Sequence, residues 1–592
     1  MGHRNQIVFR GCYLVLVSAV LLANGVVRPP SRLLGANASP HPAVWAEIDK
    51  EQLLEYIKIL SSDKFEGRAP ASKGEDLTTT FIREKFKGLA LQPGNPDGTY
   101  FQRVPMVGIT ADPAMQLTFT GSNSGKRLAL RYGEDFMAWT KREQPEVGIH
   151  ADVVFVGYGV VAPEYHWDDY KGVDVRGKVL VMLINDPPVP DPKDPAKLDP
   201  KMFKGKAMTY YGRWTYKFEM AAQKGAAGCL LIHQTGPAGY PWEVIRNSKA
   251  GEQFSLASAD KGMSRAAVEG WLTHDQAKAL FAMTGKDLAA LEKAAVDRNF
   301  RPVPLDAQAA LTMHNEIRTI NSKNVVAKLP GGDPKLRQEY VIYTAHWDHL
   351  GVGPAGIFHG AADNASGVAG LLEIARAFTK VQPPPRRSIL FLAVTAEEQG
   401  LLGSQYYAEH PLYPLTKTAA EINMDVLNTF GRTRDLTVIG LGMSTLDGYV
   451  KTVATEQGRV VRPDAEPEKG FYFRSDHFSF AKLGVPALDP EGGIDYLGRP
   501  AGWGMKMREK FTKENYHKPS DTITPDWDLS GAVLDLQLLF EVGYRVANAD
   551  RLPTWSPGSE FRARREAMLK GSDKCPAAAG RVTSRSWESE DR

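Results

Sequence analysis

The sequence predicts an α/β fold in which a mostly parallel, mixed sheet is flanked by helices, with a β-rich unit inserted before that sheet is complete. Four short apolar runs, at 322–330, 339–346, 388–395 and 420–426, are typical of buried strands. A helical stretch at 366–378 separates the second run from the third, and such alternation implies a parallel sheet with helices on both faces. A chain of 592 residues exceeds what one core normally organises, so we expect two or three domains.

The segment 44–147 is predicted to be the N-terminal part of the main domain. Apolar residues fall at helical spacing within 47–60, and a second helical stretch follows at 77–89. Between residues 100 and 145 the apolar residues alternate or run short between turns, which favours strands. We expect these strands to pack on or beside the main sheet.

The segment 148–305 is predicted to be a separate unit, because short β-branched runs are divided there by glycine turns. The main domain resumes and covers 306–550, ending in a helix at about 531–548. Residues 551–592 are rich in Arg, Ser, Pro and Glu and have little periodicity, so we expect them to be mostly disordered.

The N-terminus resembles an export signal. Arg4 and Arg10 precede an apolar run at 12–23 that is too short to span a bilayer comfortably. We predict a signal peptide at 1–25, with cleavage after Gly25 or after Ala38, and an uncleaved anchor as the alternative. The mature protein would then be secreted or periplasmic and would not contact the membrane.

Charge and cysteine content exclude two classes of protein. The net charge is +3 and no basic run with interleaved aromatic residues occurs, so nucleic acid is not an expected partner. Cys12 lies in the signal, Cys229 in an apolar run and Cys575 in the polar tail, so no disulfide framework is expected. The sequence leaves the oligomeric state open.

Five candidate metal ligands carry the strongest functional signal, and three of them directly follow predicted strands. They are His346, Asp363, Glu398, Asp425 and His517. Two histidines and three carboxylates suit a pair of zinc ions that share Asp363 and a bridging water, each ion being coordinated by nitrogen and oxygen. Three carboxylates and a hydroxide nearly neutralise two dications, so such a site tolerates partial burial.

Glu397 is the sixth residue of interest, because it directly precedes Glu398 in a predicted loop. Neighbouring side chains in a loop can diverge, one toward a metal and the other toward water. We therefore expect Glu397 to take a proton from water and to pass it to a leaving amine.

Five blocks in this order resemble the di-zinc M28 aminopeptidase family: H-W-D at 346–348, D-N-A-S-G at 363–367, E-E-Q-G-L-L-G-S at 397–404, N-M-D at 423–425 and Y-H-K-P-S-D at 516–521. The resemblance implies the zinc exopeptidase fold, peptide substrates and two zinc ions. It also implies that 148–305 is a protease-associated (PA) domain. Where the family often has a second Asp, this chain has Ala362, which leaves the bridging position intact.

The resemblance also assigns roles to particular residues. It implies that His346 and Asp425 hold one zinc, that Glu398 and His517 hold the other, and that Asp363 bridges them. Asp348 would hydrogen-bond the free ring nitrogen of His346 and so fix its tautomer. Tyr516 would polarise the scissile carbonyl or steady the oxyanion.

Other polar residues near these blocks have less certain roles. Arg474, Asp476 and His477 lie in a segment that resembles the family's substrate pocket, and a local ion pair is the alternative interpretation. We expect His349 and His359 to be structural.

The sequence therefore predicts an exported zinc aminopeptidase, and other functions remain open. Arg474 and the basic stretch 506–510 also suit a carboxypeptidase, which must bind a substrate carboxylate. A glutaminyl cyclase-like transferase would use one metal ion, and a non-catalytic scaffold would be expected to have lost ligands or Glu397.

Overall fold

The computed structural model describes residues 42–45 and 47–571 of the chain. The predicted signal peptide, the end of the tail, Cys12 and Cys575 lie outside the described residues. Cys229 is buried and free. None of the helices in the described part of the chain is both long enough and apolar enough to span a bilayer.

The strands of the described residues are numbered here in chain order. They are β1 (Gln92–Pro93), β2 (Phe101–Ala111), β3 (Gln116–Gly121), β4 (Arg127–Arg131), β5 (Phe136–Trp139), β6 (Glu146–Phe155), β7 (Val161–Ala162), β8 (Trp167–Asp168), β9 (Val179–Leu183), β10 (Pro190–Asp191), β11 (Asp194–Leu198), β12 (Gly228–His233), β13 (Gln253–Leu256), β14 (Val268–Thr273), β15 (Val303–Leu329), β16 (Tyr340–His346), β17 (Gly351–Gly353), β18 (Gly356–Phe358), β19 (Ser388–Val394), β20 (Thr418–Asn423), β21 (Asp435–Ile439), β22 (Val460–Pro463) and β23 (Ala487–Gly492).

The α-helices of the same residues are numbered in the same way. They are α1 (Pro42–Trp45), α2 (Lys50–Leu60), α3 (Lys73–Gly88), α4 (Trp214–Gln223), α5 (Thr235–Ala238), α6 (Trp242–Lys249), α7 (His274–Met283), α8 (Leu288–Ala294), α9 (Gly367–Thr379), α10 (Leu402–Glu409), α11 (Leu446–Glu456), α12 (His477–Lys482), α13 (Trp503–Glu514), α14 (Ser530–Asn548) and α15 (Arg562–Leu569).

The main sheet has a parallel centre and antiparallel strands at one side. β19, β16, β20 and β23 lie side by side and run parallel. β15 pairs antiparallel with β19, and β2 pairs antiparallel with β15. The predicted fold class, a mostly parallel mixed sheet flanked by helices, is confirmed.

Both faces of this sheet are buried because its strands are apolar throughout. Along β19, Ile389 and Phe391 contribute to the core on one face, whereas Leu390 and Leu392 contribute to the core on the other. The first core contains residues of α2, α3, α9, α11 and α14, and the second contains residues of α10 and α12. Side chains alternate between the faces of a strand, so a continuous apolar run is what a strand covered on both faces requires.

The 27 residues of β15 belong to two sheets in succession. Its first half pairs with β6 and β3, and its second half pairs with β2 and β19. β6, β9, β12 and β14 continue the first sheet, which has its own hydrophobic core of residues between 115 and 313. We call residues 115–313 the insert.

The insert is larger than the predicted 148–305. β2 joins the main sheet as expected, whereas β3, β4 and β5 belong to the sheet of the insert. The expectation that all strands between 100 and 145 pack beside the main sheet is therefore wrong for these three. All of them are short apolar strands, and local pattern does not reveal which partner a strand will pair with.

The prediction of a mostly disordered segment after residue 550 is wrong for residues 551–571, which carry α15. Trp555 and Phe561 are buried in a small cluster with Phe478. Arg565 is buried, and its guanidinium donates to the carbonyl oxygens of Leu415 at 2.9 Å and Thr418 at 2.7 Å. This basic, weakly periodic segment is folded because two of its aromatic side chains are buried and because Arg565 binds two main-chain carbonyl oxygens of the main domain.

Candidate metal centre and active site

Three candidate ligands lie at one edge of the main sheet. His346 is the last residue of β16, Glu398 follows β19 and Asp425 follows β20. These three strands are parallel neighbours in close register, so their carboxyl ends meet. Polar side chains at that edge face a common crevice, as is usual for open α/β sheets.

Asp363 reaches the same place from the turn Ala361–Ser366 that precedes α9. The peptide N–H groups of Ala362 and Asp363 donate to the two carboxylate oxygens of Asp521, both at 3.0 Å. The side-chain amide of Asn364 donates to the carbonyl oxygen of Met424 at 3.0 Å. These bonds fix the turn against the segments that carry His517 and Asp425.

The N-terminal segment holds the loops around the site. Arg68 is fully buried, and its guanidinium donates to the carbonyl oxygens of Trp347, His359 and Gly360 at 2.7–3.0 Å. Gly67 has φ +64°, and a Cβ atom there would lie 2.4 Å from the carbonyl oxygen of Phe358. Only glycine allows this close approach, and the loop after β16 is thereby pinned.

The five candidate ligands converge, and Asp363 lies between two sets. The Nε2 atom of His346 is 3.3 Å from Asp363 Oδ1 and 3.2 Å from Asp425 Oδ1. The Nε2 atom of His517 is 3.3 Å from Asp363 Oδ2 and 3.0 Å from Glu398 Oε2. Each set offers one imidazole nitrogen and two carboxylate oxygens, one of them from Asp363, and this donor set fits a pair of zinc ions.

Glu397 lies beside the first set. Its Oε2 atom is 3.9 Å from His346 Nε2, and 11% of its side chain is exposed. Burial and the carboxylates of Glu398 and Asp425 hold the pKa of Glu397 well above its ordinary value, although His346 opposes them. A carboxyl group in this environment takes up a proton readily.

Asp348 plays a different part from the one expected. Its carboxylate accepts from the peptide N–H groups of Glu397 at 3.1 Å and Glu398 at 3.4 Å. The Nδ1 atom of His346 lies 3.2 Å from the main-chain carbonyl of Asp348 and 3.9 Å from its carboxylate. The expected hydrogen bond from His346 to the Asp348 carboxylate is therefore replaced by one to the carbonyl, and the carboxylate orders the Glu397–Glu398 loop.

Tyr516 packs on a candidate ligand. Its ring centroid lies 3.9 Å from that of His517, at an interplanar angle of 31°. Burial, together with the carboxylates of Asp363 and Glu398, raises the pKa of Tyr516 well above its ordinary value. Its hydroxyl is therefore protonated at neutral pH and can donate a hydrogen bond.

The other predicted site residues divide into exposed and buried groups. Arg474 faces the open space beside the site, with its guanidinium bonded to the carbonyl oxygen of Ala238 at 2.9 Å. Asp476 and His477 are fully buried, and the Nδ1 atom of His477 is 3.4 Å from Asp489. Burial lowers the pKa of His477 to about 3. Neither Asp476 nor His477 reaches that space, so the expected contact of these two residues with substrate is not supported.

The two remaining histidines differ in their distance from the site. His359 Nε2 lies 2.9 Å from Asp63 Oδ1, in line with a structural role. His349, also expected to be structural, is buried, and its Nδ1 atom is 2.6 Å from Glu398 Oε1. His349, Asp363 and Glu398 together could also hold a metal ion. His349 therefore lies closer to the candidate metal centre than expected.

The family comparison matches residues 324–540 to "Peptidase family M28". These residues contain all five converging ligands and Glu397. The chain carries a peptidase family M28 domain. From here residues 324–540 are called the M28 domain.

Relatives of known activity match parts of the chain. Leupeptin-inactivating enzyme 1 of Streptomyces exfoliatus is 28% identical over 260 residues, 43% of this chain and 54% of that protein. Aminopeptidase YwaD of Bacillus subtilis (strain 168) is 33% identical over 189 residues, 31% of this chain and 36% of that protein. The chain thus spans about half or less of the length of these relatives.

Among solved structures, the aminopeptidase from Aneurinibacillus sp. strain AM-1 aligns over 86% of this chain and 96% of its own, with 20% identity and a TM-score of 0.49.

The insert contacts the M28 domain at one of its candidate ligands. Ser248, in α6, places its hydroxyl 2.7 Å from His517 Nδ1. The side-chain amide of Asn247 donates to the carbonyl oxygen of His517 at 3.0 Å. Sequence reasoning missed both residues, because a Ser and an Asn about 270 positions away carry no pattern that points to a metal ligand.

Two cavities adjoin at Glu397. The insert-side cavity, about 400 Å³, lies between the insert and the M28 domain and is lined by Arg213, Trp214, Lys249, Glu398 and His517 among others. The Asp425-side cavity, about 210 Å³, is lined by Asp425, Leu427, Phe430, Glu491 and Phe511 among others. Glu397, Arg474 and Tyr516 line both, so an extended substrate can pass from one cavity to the other over Glu397.

Proposed function

We propose that this chain is an exported zinc-dependent exopeptidase that removes N-terminal residues from peptides, with Glu397 as the general base. The observation that carries the proposal is the pair of donor sets that share Asp363, with Glu397 beside them and open to both cavities. The family match and the aminopeptidase names of the relatives support the same conclusion.

His346, Asp425 and one oxygen of Asp363 would hold one zinc ion, and His517, Glu398 and the other oxygen would hold the second. The chemistry that such ions supply when bound is Lewis acidity toward water and toward a substrate carbonyl. Three carboxylates offset most of the charge of two dications, which favours two ions over one in a buried site.

Glu397 has the position that a proton carrier requires. It lies beside the first donor set, lines both cavities and has a raised pKa. In the proposed reaction Glu397 accepts a proton from the attacking water and donates it to the nitrogen of the departing amine. Its peptide N–H is held by Asp348, which keeps the carboxylate in place between these two steps.

Tyr516 would stabilise the negative charge that develops on the carbonyl oxygen. Tyr516 lines both cavities, and its hydroxyl is protonated at neutral pH, so it is available as a donor to a scissile bond that lies between them. Stacking on His517 restricts the ring, so the donor is already oriented when the charge develops.

The charges of the Asp425-side cavity support attack at a free N-terminus. Asp363, Glu397, Asp425, Asp489 and Glu491 contribute carboxyl groups there, against the two cations Arg474 and Arg508, and Arg508 is ion-paired with Glu491 at 2.6 Å. An acidic cavity attracts the ammonium group of a free N-terminus, and the apolar Leu427 and Phe430 suit a side chain beside it.

The alternatives predict different measurements. A scaffold does not need all five ligands and Glu397 in contact, and a single-zinc cyclase does not need the second donor set. Metal analysis of the purified protein is expected to give about two zinc ions per chain. On a panel of free-amino and N-blocked peptides, only the free-amino peptides should be cleaved. Cleavage of the blocked peptides instead would identify a carboxypeptidase, and a zinc content near one would favour the cyclase.

Export and the nature of the insert belong to the same proposal. We propose that residues 1–25 are removed as a signal peptide and that the insert is a PA domain. N-terminal sequencing of the protein recovered outside the cytoplasm tests the first point, since an intact N-terminus would indicate a retained anchor.

A further inference from the structure

The insert-side cavity contains two buried cations that the proposed reaction does not use. Arg213, at the start of α4, is 8% exposed, and Lys249, at the end of α6, is 9% exposed. Both side chains come from the insert and line the cavity that also contains Glu397 and His517. They therefore lie within the reach of a substrate bound across Glu397.

Neither cation has an acidic partner among the described residues. The Lys249 ammonium lies over the rings of Trp139 and Trp214, at 5.4 and 5.3 Å from their centroids, and forms no ion pair. The Arg213 guanidinium lies 6.0 Å from the centroid of Trp214, and its Nε atom has no hydrogen-bond partner. Burying a cation without a counter-charge is unfavourable, so an anion that enters this cavity would be strongly attracted.

Three acidic groups favour the charged form of Lys249 without forming an ion pair with it, namely Glu269, Glu398 and Glu397. The Oε2 atom of Glu269 accepts a hydrogen bond from Trp139 at 3.1 Å and lies 3.7 Å from the ammonium of Lys141, whereas its Oε1 atom has no hydrogen-bond partner. Glu397 and Glu398 belong to the proposed catalytic centre. Burial lowers the pKa of Lys249 to about 8, which leaves the ammonium mostly protonated at neutral pH.

The two cavities differ in the charged groups that they offer to a substrate. The Asp425-side cavity presents the carboxyl groups of Asp363, Glu397 and Asp425. The insert-side cavity is lined by acidic and basic side chains alike, and Arg213 and Lys249 are the buried cations of the insert there that form no ion pair with a described residue. A substrate whose ammonium lies near Asp425 places the group leaving from the scissile bond in the insert-side cavity. That group would meet the two unpartnered cations.

We infer that the insert-side cavity binds a carboxylate on the leaving part of the substrate, through Arg213 and Lys249. The inference rests on the proposed function and adds a substrate class, namely peptides with a carboxylate one residue beyond the scissile bond. Two sources present this group: the α-carboxylate of a dipeptide, and the side chain of Glu or Asp at the second position of a longer peptide. A planar guanidinium suits a carboxylate because it can donate two parallel hydrogen bonds.

Matched substrate pairs test the inference. With Xaa as the N-terminal residue that the full-length enzyme prefers, one pair is Xaa-Ala and Xaa-Ala-NH2. The second pair is Xaa-Glu-Ala-NH2 and Xaa-Gln-Ala-NH2. We expect kcat/KM to be about tenfold to a hundredfold higher for the charged member of at least one pair, the range typical of a hydrogen bond to a charged group. Faster cleavage of the charged member of the first pair would show that the cavity binds the α-carboxylate. Faster cleavage of the charged member of the second pair would show that it binds the side-chain carboxylate.

Two variants connect this preference to the cations. In Arg213→Gln and in Lys249→Met, the ratio of kcat/KM between charged and neutral members should fall toward one. Lys293→Met removes an exposed lysine from the same insert and should keep the wild-type ratio. Thermal unfolding of each variant checks that the protein is folded. Equal kcat/KM within both pairs of the wild type, or an unchanged ratio in both folded variants, would overturn the inference.

A further measurement separates this inference from the proposed function. Calorimetric titration of the product pair Glu-Ala-NH2 and Gln-Ala-NH2, and of alanine and alaninamide, reports carboxylate binding without turnover. If N-acetyl-Xaa-Ala is cleaved and Xaa-Ala is not, the enzyme does not require a free N-terminus and the proposed direction of attack is wrong. That result leaves the inferred carboxylate site unaffected. Should turnover be absent altogether, tighter binding of the charged product still supports the carboxylate site, and equal binding removes it.

Discussion

Substitution of Ser248 by Ala tests whether the insert is part of the metal centre. The Ser248 hydroxyl lies 2.7 Å from Nδ1 of His517, which is 7% exposed, and it is the contact that the insert makes with this ring nitrogen. With Nε2 directed toward Asp363 and Glu398, the proton of a neutral imidazole resides on Nδ1 and is donated to Ser248. Ser248→Ala removes the acceptor and leaves a buried N–H without a partner.

The size of the effect follows from this geometry. A neutral hydrogen bond contributes about 1 kcal/mol net, and an unsatisfied buried donor adds about 1 kcal/mol or more to the loss. A total of about 2 kcal/mol corresponds to roughly thirtyfold weaker zinc binding, within the range of losses seen when a ligand's outer partner is removed. The effect should be confined to the His517–Glu398 set, because His346 Nδ1 faces the Asp348 carbonyl instead.

The assay is zinc content per chain after dialysis against a graded series of chelator concentrations. Ser248→Ala should release one of its ions at a chelator concentration roughly thirtyfold lower than the wild type, and the other ion at the same concentration. Ser248→Thr retains a hydroxyl and should restore wild-type behaviour. Asn247→Ala removes the bond to the His517 carbonyl and should affect thermal stability more than zinc release. Indistinguishable release curves for Ser248→Ala and wild type would refute the reasoning.

Three other substitutions test separate parts of the structure. Glu397→Gln should lower kcat by about two to four orders of magnitude with zinc content unchanged, and undiminished turnover would remove Glu397 from the mechanism. Asp363→Ala removes an oxygen from both donor sets, so the zinc content should fall from about two ions per chain to near zero. A variant that still holds one ion tightly would show that the two ions do not share Asp363. Arg565→Ala deprives the buried carbonyls of Leu415 and Thr418 of their donor. It should lower the free energy of unfolding in urea by about 2–4 kcal/mol, and a change below about 0.5 kcal/mol would show that the C-terminal helix contributes little.

The sequence pattern was sufficient to predict the candidate ligands that lie at the ends of parallel strands. The runs ending at His346, Val394 and Asn423 are mostly apolar and are buried along their whole length, because both faces of each strand are covered. Parallel strands align their carboxyl ends, so polar residues directly after these runs had to meet. The positions of His346, Glu398 and Asp425 could therefore be inferred without knowing any long-range contact.

Long-range pairing could not be inferred in the same way. β3, β4 and β5 have the composition of strands, yet they joined the insert, and Arg565 ordered a segment whose composition suggested disorder. The Asp348 carboxylate, expected at the His346 ring, instead bonds the N–H groups of the next loop. In each case the partner lies far along the chain or depends on a side-chain direction that the spacing of residues does not specify.

The sequence by itself determined the α/β class, the strand ends that carry the ligands and the identity of the donor atoms, because these depend on residue type and on the periodicity of neighbouring residues. Tertiary structure alone decided that Ser248 of the insert bonds His517, and that Arg213 and Lys249 line the same cavity as Glu397 without an ion pair to a described residue. Ser248 and His517 lie 269 positions apart in the sequence, and only the packing of the insert against the sheet brings them within hydrogen-bonding distance.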